Sequence, residues 1–370
     1  MAKKDKTESK QKLPVMTGAP HIRSGESVPK VMWSVVAALA PAAAFAVYHF
    51  GMPALMLMAV SAAAAVAAEA LMQLLLRKRV TALDGSAVIT GLLLAMNIPP
   101  GAPLWMAAIG SVFAMVIVKH LFGGLGFNIF NPALAARAFL LASWPVHMTT
   151  TWHRFGEHNI LMQNAQNSAG FSPSVFDALT GATPLTLMKE GPKILADNHI
   201  ALSKLYDVTL TPEMVKSLFI GTVGGSIGET SALLLLIGAL FLMIRKIITW
   251  HIPVSFIGTV AAAAAGYHYL SGYPAPHLMA LYQVLSGGLI LGAFFMATDM
   301  VTSPVSKKGM LIFGAGCGLI TFVIRQWGGY PEGVSYAILI MNALVPLIDR
   351  YTKPRVFGVR EKKKLAGAVK

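Results

Sequence analysis

Long apolar runs joined by short polar or glycine-rich links set the pattern of this chain. A bilayer-spanning helix needs about 20 apolar residues. Runs of that length, or close to it, fall at 31–50, 53–76, 85–99, 103–121, 131–148, 231–249, 252–270, 279–299, 309–327 and 332–349. The pattern predicts an all-α polytopic membrane protein with about ten transmembrane helices. The third and fifth runs are short, which predicts broken or re-entrant helices, tolerated where backbone is buried in protein or lines a cavity. One long polar stretch, 149–216, separates the fifth run from the sixth and leads into the glycine-rich segment 221–229. The chain therefore divides into a tail (1–30), a first five-helix membrane half (31–148), a loop segment (149–230), a second five-helix membrane half (231–349) and a basic tail (350–370).

Two sets of five helices predict an inverted repeat, because an odd number of spans turns the second set over. Faint internal likeness agrees. The third run carries Gly91 through Asn97, Ile98, Pro99 and Pro100, and the eighth carries Gly292 through Asp299 with Pro304 beyond it. Gly123-Gly124 precedes the fifth run and Gly328-Gly329 the tenth. Inverted repeats with interrupted helices build ion and solute paths at the bilayer midplane.

Composition and charge sharpen this picture. Of 370 residues 12% are charged and 55% hydrophobic, and the mean hydropathy is +0.62. A soluble domain carries roughly 25% charged residues. The net charge of +14 does not point to nucleic acid, since the basic residues form short clusters between apolar runs. With residues 1–30 inside, 23 of the 30 lysines and arginines fall on one face, among them Arg77-Lys78-Arg79, Lys119, Arg245-Lys246 and Lys307-Lys308. The positive-inside rule then predicts both termini in the cytosol and the 149–216 loop on the far side of a bacterial cytoplasmic (inner) membrane. The polar first 30 residues are too long for the basic region of a signal peptide, so a retained first helix is expected.

Little in the chain supports a soluble cofactor fold. No Walker loop occurs, and the glycines at 221–228 neither follow a strand nor open a soluble helix, so NAD and ATP are not expected as ligands of this chain. A single cysteine, Cys317, excludes disulfide frameworks and thiolate metal clusters, and reads as a small packing residue. The histidines lack metal-ligand spacing, and the 20 methionines read as pliable packing.

The loop segment holds the most specific motif, Asp177-x-x-Thr180-Gly181-Ala182-Thr183-Pro184. Gly181 and Ala182 make a slim loop and Pro184 fixes its direction after the Thr183 hydroxyl. Further signatures run along most of the chain: Pro20-His21-Ile22-Arg23, Asp84-Gly85-Ser86-Ala87, Gly123 through Asn128, Asn131-Pro132-Ala133, Gly225 through Thr230, Thr298 through Pro304 and Gly328 through Ala337. Together they resemble the RnfD family, the D-type subunits of the Rnf ion-translocating ferredoxin:NAD⁺ oxidoreductase complex. Its sister family is the B-type subunit of the sodium-pumping NADH:quinone reductase.

The resemblance implies a membrane subunit that carries FMN on Thr183 through a phosphoester. Asp177, Thr180, Gly181 and Ala182 would be recognised by an FAD-dependent flavin transferase. The protein would take part in coupling ferredoxin-to-NAD⁺ electron transfer to Na⁺ or H⁺ translocation. It would not be catalytic alone, because partner subunits must handle ferredoxin and NAD⁺. The resemblance also permits a second, non-covalent flavin, riboflavin. The other readings are the quinone-reductase subunit with the same flavin, and, in another class, a urea-transporter-like permease with no redox role. Membrane lipid is an expected partner and nucleic acid is not.

Ionisable residues in or beside the apolar runs form a second group: Glu69, Asp84, His120, Arg137, Glu229, Asp299, Arg325, Glu332 and Asp349. A charge at the bilayer centre costs at least about 2.5–3.5 kcal/mol, so such groups should face protein or water. Asp299 and Glu229, followed by Asp84 and Glu332, are the candidates for an ion path, with acids at both faces. Asp84, Glu229 and Asp349 read equally as helix caps. Arg137 either compensates flavin or phosphate charge or pairs with a buried acid.

Overall fold

The computed structural model describes residues 26–150, 183–197, 206, 209–229, 231–273 and 275–353. The described residues are helical, with no strand among them. In chain order the helices are α1 (Val28–Phe50), α2 (Met52–Leu75), α3 (Ser86–Met96), α4 (Leu104–His120), α5 (Pro132–Ser143), α6 (Pro145–Thr149) and α7 (Pro184–Asp197). They continue as α8 (Pro212–Ile220), α9 (Ala232–Ile244), α10 (His251–Leu270), α11 (Pro276–Leu285), α12 (Leu289–Met296), α13 (Lys307–Trp327) and α14 (Val334–Tyr351).

Among the described residues four helices, α1, α2, α13 and α14, are long and apolar enough to cross a membrane. The pair α11 and α12, bent by 63° between them, makes a fifth when counted as one broken span. Shorter apolar helices α3, α4, α5 and α9 lie among them. With 11 residues, α3 rises only about 16 Å, roughly half of a 30 Å hydrocarbon core. The apolar run at 279–299 reads as one span in the sequence. The structure breaks it at Ser286-Gly287-Gly288, where Gly287 takes φ 69°, a left-handed conformation that suits glycine. The fifth run also divides, because Pro145 follows Trp144 and supplies no N–H to continue α5.

Caps set the other ends. The Asn131 side chain accepts from the amides of Ala133 and Leu134 and Pro132 opens α5, while Thr211, Ser231 and Ser306 cap α8, α9 and α13 in the same way. Helices in lipid associate through small residues that let backbones approach. A Cβ at Gly91 of α3 would lie 2.7 Å from the Ser61 carbonyl oxygen of α2. One at Gly238 of α9 would run into the Ala38 carbonyl of α1. In this way α2 packs on α3 and α4, α10 packs on α11 and α13, α1 crosses α9, and α5 lies against α14. Leu39, Leu57, Leu94, Met106, Phe256 and Phe313 are buried in the core between them.

Two helices loosen into π-helical turns, α4 over Ala114–His120 and α12 over Gly292–Met296. Such turns recur at functional sites because one inserted residue re-aims the side chains after it. Each of these turns ends beside one cavity, which Lys119 and Asp299 both line.

Candidate functional site

Thr183 stands immediately before α7. Its hydroxyl accepts from the Thr186 amide at 3.2 Å and sits 2.8 Å from the Thr186 hydroxyl, which is the geometry of an N-cap. Pro184 opens the helix, and its carbonyl accepts from the fully buried Tyr282 hydroxyl of α11 at 2.7 Å. Farther along α7, Lys189 donates to the carbonyls of Ile324, Gly328 and Tyr330, closing the end of α13. Burial lowers the pKa of that ammonium. The threonine is thus held rigidly against the membrane helices. Asp177, Thr180, Gly181 and Ala182 lie outside the described residues.

Two small cavities meet at Thr183, and Glu229 lines both. The first is also walled by Arg137, Glu332, Tyr330 and Gly287. The Arg137 guanidinium in α5 donates through Nε to the Asn97 carbonyl at 3.2 Å, and through its two terminal nitrogens to Ser335 and to the Glu332 carboxylate. Glu332 in turn accepts from the Gly288 amide at 2.8 Å, at the bend between α11 and α12. Of the two roles open to Arg137 in the sequence, the structure shows the buried ion pair. Glu229 ends a 3₁₀ turn outside the spanning helices and accepts from the Ser226 hydroxyl at 2.9 Å. Burial, and then the Glu332 charge beside it, push its pKa up to about 7 against the pull of Arg137.

The four ion-path candidates separate into two places. Glu229 and Glu332 belong to the cluster beneath Thr183. Asp299 lies beyond the far end of α12, where it accepts from the Thr302 hydroxyl at 3.2 Å and lines a cavity of about 140 Å³ with Ser86, Thr90, Lys119, Asn128 and Asn131. Asp84 accepts from both the amide and the hydroxyl of Ser86, at 2.8 and 2.7 Å, so it acts as a turn acceptor at the start of α3. Asp349 accepts from the Val305 amide.

Lys119 departs from the sequence expectation. Its position in the chain groups it with the surface charges, yet it is 2% exposed, and its ammonium bonds Glu69 at 2.7 Å and Ser86 at 2.8 Å. The π turn carries it inward, and its acid partner lies 50 residues away in the chain. Arg325, known from the sequence only as intramembrane, donates to the carbonyls of Gln283 and Ser286 at the end of α11.

The NQR2, RnfD, RnfE family matches residues 15–358. The chain belongs to this family. Among its relatives is the D-type subunit of the proton-translocating ferredoxin:NAD(+) oxidoreductase complex of Clostridium ljungdahlii, 46% identical over 356 residues, 95% of this chain and 98% of that protein. The D-type subunit of the Na(+)-translocating ferredoxin:NAD(+) oxidoreductase complex of Acetobacterium woodii is 46% identical over 355 residues, with the same coverage of each chain. The D-type subunit of the ion-translocating oxidoreductase complex of Stutzerimonas stutzeri is 44% identical over 349 residues, 90% of this chain and 92% of that protein. Family membership sets aside the permease reading.

Proposed function

We propose that this chain is a membrane subunit of an Rnf-type ion-translocating ferredoxin:NAD⁺ oxidoreductase complex and carries FMN on Thr183. The observation that carries the flavin assignment is the position of the Thr183 hydroxyl. It caps a rigidly docked helix, and two cavities meet beside it. The residues fit the group. A phosphoester oxygen on Thr183 still accepts from the Thr186 amide, and a helix N-terminus suits a phosphate. Arg137, paired with Glu332, lines the same cavity as Thr183. Bound there, the flavin supplies one-electron chemistry, while the protein supplies position and electrostatics. Asp177, Thr180, Gly181 and Ala182 serve the transferase that installs it, and electrons reach the chain through partners that handle ferredoxin and NAD⁺.

The cavity beside Asp299 suits the second flavin, riboflavin. Its apolar walls, including Phe294 and Phe295, also carry the polar side chains of Asn128, Asn131, Thr90 and Ser86. The helix order supports ten membrane elements in a five-plus-five inverted repeat: α1 to α5 against α9, α10, the α11–α12 pair, α13 and α14. In this reading α2 packs on α3 and α4 as α10 packs on α11 and α13. The basic clusters support cytosolic termini and an extracytoplasmic Thr183 in the bacterial cytoplasmic membrane. Glu229 and Glu332 then lie toward the outer face and Asp299 and Asp84 toward the inner one, at opposite ends of the ion path. The two relatives at 46% identity are named for different ions, H⁺ and Na⁺.

The deciding experiment is a denaturing gel of membranes from cells co-expressing a flavin transferase. A fluorescent band at this chain's mass that disappears in Thr183→Val is expected. A dark wild-type band, or a bright variant, would remove the assignment. For the ion path, Asp299→Asn should slow ion-dependent turnover of the assembled complex, and unchanged turnover would exclude Asp299.

A further inference from the structure

Three ionisable side chains, Glu69, Lys119 and His120, are buried where α2 packs against the π turn that ends α4. Lys119 spends two of its three donors there, on Glu69 Oε1 at 2.7 Å and on the Ser86 hydroxyl at 2.8 Å. The Ser86 hydroxyl donates on to Asp84, and Gln73 adds a bond to Glu69 Oε1 at 3.3 Å. The other carboxylate oxygen, Oε2, is buried with no partner. So are both ring nitrogens of His120, although Nε2 lies only 3.8 Å from Glu69 Oε1. A neutral imidazole always carries one N–H, and leaving it buried and unbonded costs about 1–3 kcal/mol. A small rotation of either side chain closes the gap. Two cations therefore compete for one acid: Lys119, which holds it here, and His120, which holds it once protonated. Like charges on neighbouring residues repel, so the two exclude each other. Lys119 also has a second acid within its surroundings. With Asp299 it lines the cavity at the end of α12, and its charge acts on Glu69 and Asp299 alike. Its ammonium rides on a flexible four-carbon stem.

We propose that Lys119 is a movable counter-ion shared between Glu69 and Asp299, and that a proton on His120 releases it. In one state Lys119 pairs with Glu69, His120 is neutral, and Asp299 is open to a cation. In the other, His120 Nε2 takes a proton from water and donates to Glu69, while the Lys119 ammonium turns to Asp299. One proton enters as one monovalent cation leaves, so the charge of the region is unchanged. The other charges facing these groups are Asp84, which acts on Glu69, and Lys78, which acts on His120 from the link after α2. Neither changes between the states. The use of this exchange in translocation rests on the Asp299 reading above, whereas the exchange itself does not.

The test follows the ring of His120 by NMR against pH, in the full-length chain with isotope-labelled histidine in detergent. The signal missing from His120→Gln identifies it. Lys119→Met removes the competing cation and leaves the acid, so His120 should take its proton at least about one pH unit higher than in the wild type, a tenfold gain in proton affinity. It should also do so above the ordinary value of about 6.5, where an unfolded variant would titrate. Asp299→Asn removes the second place for the ammonium, so His120 should take its proton at lower pH than in the wild type. That change lies at the cavity wall and keeps the test open if Lys119→Met does not fold. In a Lys119→Met background Asp299→Asn should have no effect, because it acts through the ammonium. A His120 titration that stays put in Lys119→Met or in Asp299→Asn would overturn the proposal. So would an equal shift from Asp299→Asn with and without Lys119, which is the plain loss of a nearby charge. No translocation is measured, so this result and the Asp299→Asn turnover test fail separately.

Discussion

The Lys119 ammonium lies 2.7 Å from the Glu69 carboxylate, with their side chains 3% and 1% exposed. Removing one member of a buried pair leaves an uncompensated charge, typically at a cost of about 3–5 kcal/mol. Lys119→Met and Glu69→Gln should therefore each lower the melting temperature sharply in detergent. The double variant should recover most of the loss, because no lone charge remains. Thermal melts of the four proteins form the cycle, and a double variant as unstable as the sum of the singles would show that the two groups do not depend on each other.

Thr183 caps α7, and in the proposed function it also carries the flavin; one substitution would confuse these two roles and two would separate them. Asparagine caps a helix about as well as any residue but offers no hydroxyl, whereas valine offers neither cap nor hydroxyl. Thr183→Asn should lose the fluorescent band and keep the wild-type melting temperature. Thr183→Val should lose the band and also about 1 kcal/mol of stability. Equal melting temperatures for the two variants would mean that the cap contributes nothing to docking α7.

Crossing of α1 and α9 rests on Gly238, where any side chain meets the Ala38 carbonyl. Overpacking a tight site costs about 1–3 kcal/mol and forces backbone to shift. Gly238→Ala should destabilise the chain by about that amount, and Gly238→Val by more, whereas the same changes at Gly258, where a Cβ would meet nothing within 4 Å, should be tolerated. Size-exclusion profiles and melts in one detergent give the comparison. Equal tolerance at both glycines would mean that the α1–α9 contact is not tight.

These cases show what the sequence could disclose. Helix positions follow from apolar length and local chemistry, so Asn131-Pro132 announces the start of α5 and Pro145 its end. The Ser286-Gly287-Gly288 break was equally readable, but the apolar residues on both sides concealed it within one long run. The Thr183 motif could be picked out of the sequence because it is contiguous. The partners of Arg137 were not, since Glu332 and Ser335 lie almost 200 residues away and only the packing of α5 on α14 joins them. Lys119 misled for a related reason. Counting charges by position in the chain ignores the phase of a helix, and a π turn changes that phase.

Glu229 carries the clearest pH signature. Its carboxyl titrates near 7 in the folded chain against an ordinary value of 4.5. Between those values the folded state holds the proton more tightly than the unfolded state does, so stability falls as pH rises through the window and levels off above it. The groups facing it are Glu332, which raises the pKa, and Arg137 and Ser226, which lower it. Glu229→Gln cannot ionise, so the melting temperature of the variant should gain on the wild type between about pH 5 and about pH 8. In a Glu332→Gln background the repulsion is gone and the folded pKa falls, so the gain should still begin near the ordinary carboxylate value but end at lower pH and be smaller. A gap between variant and wild type that stays constant across the range would show that Glu229 ionises as an ordinary carboxylate, and that its burial beside Glu332 is without electrostatic effect.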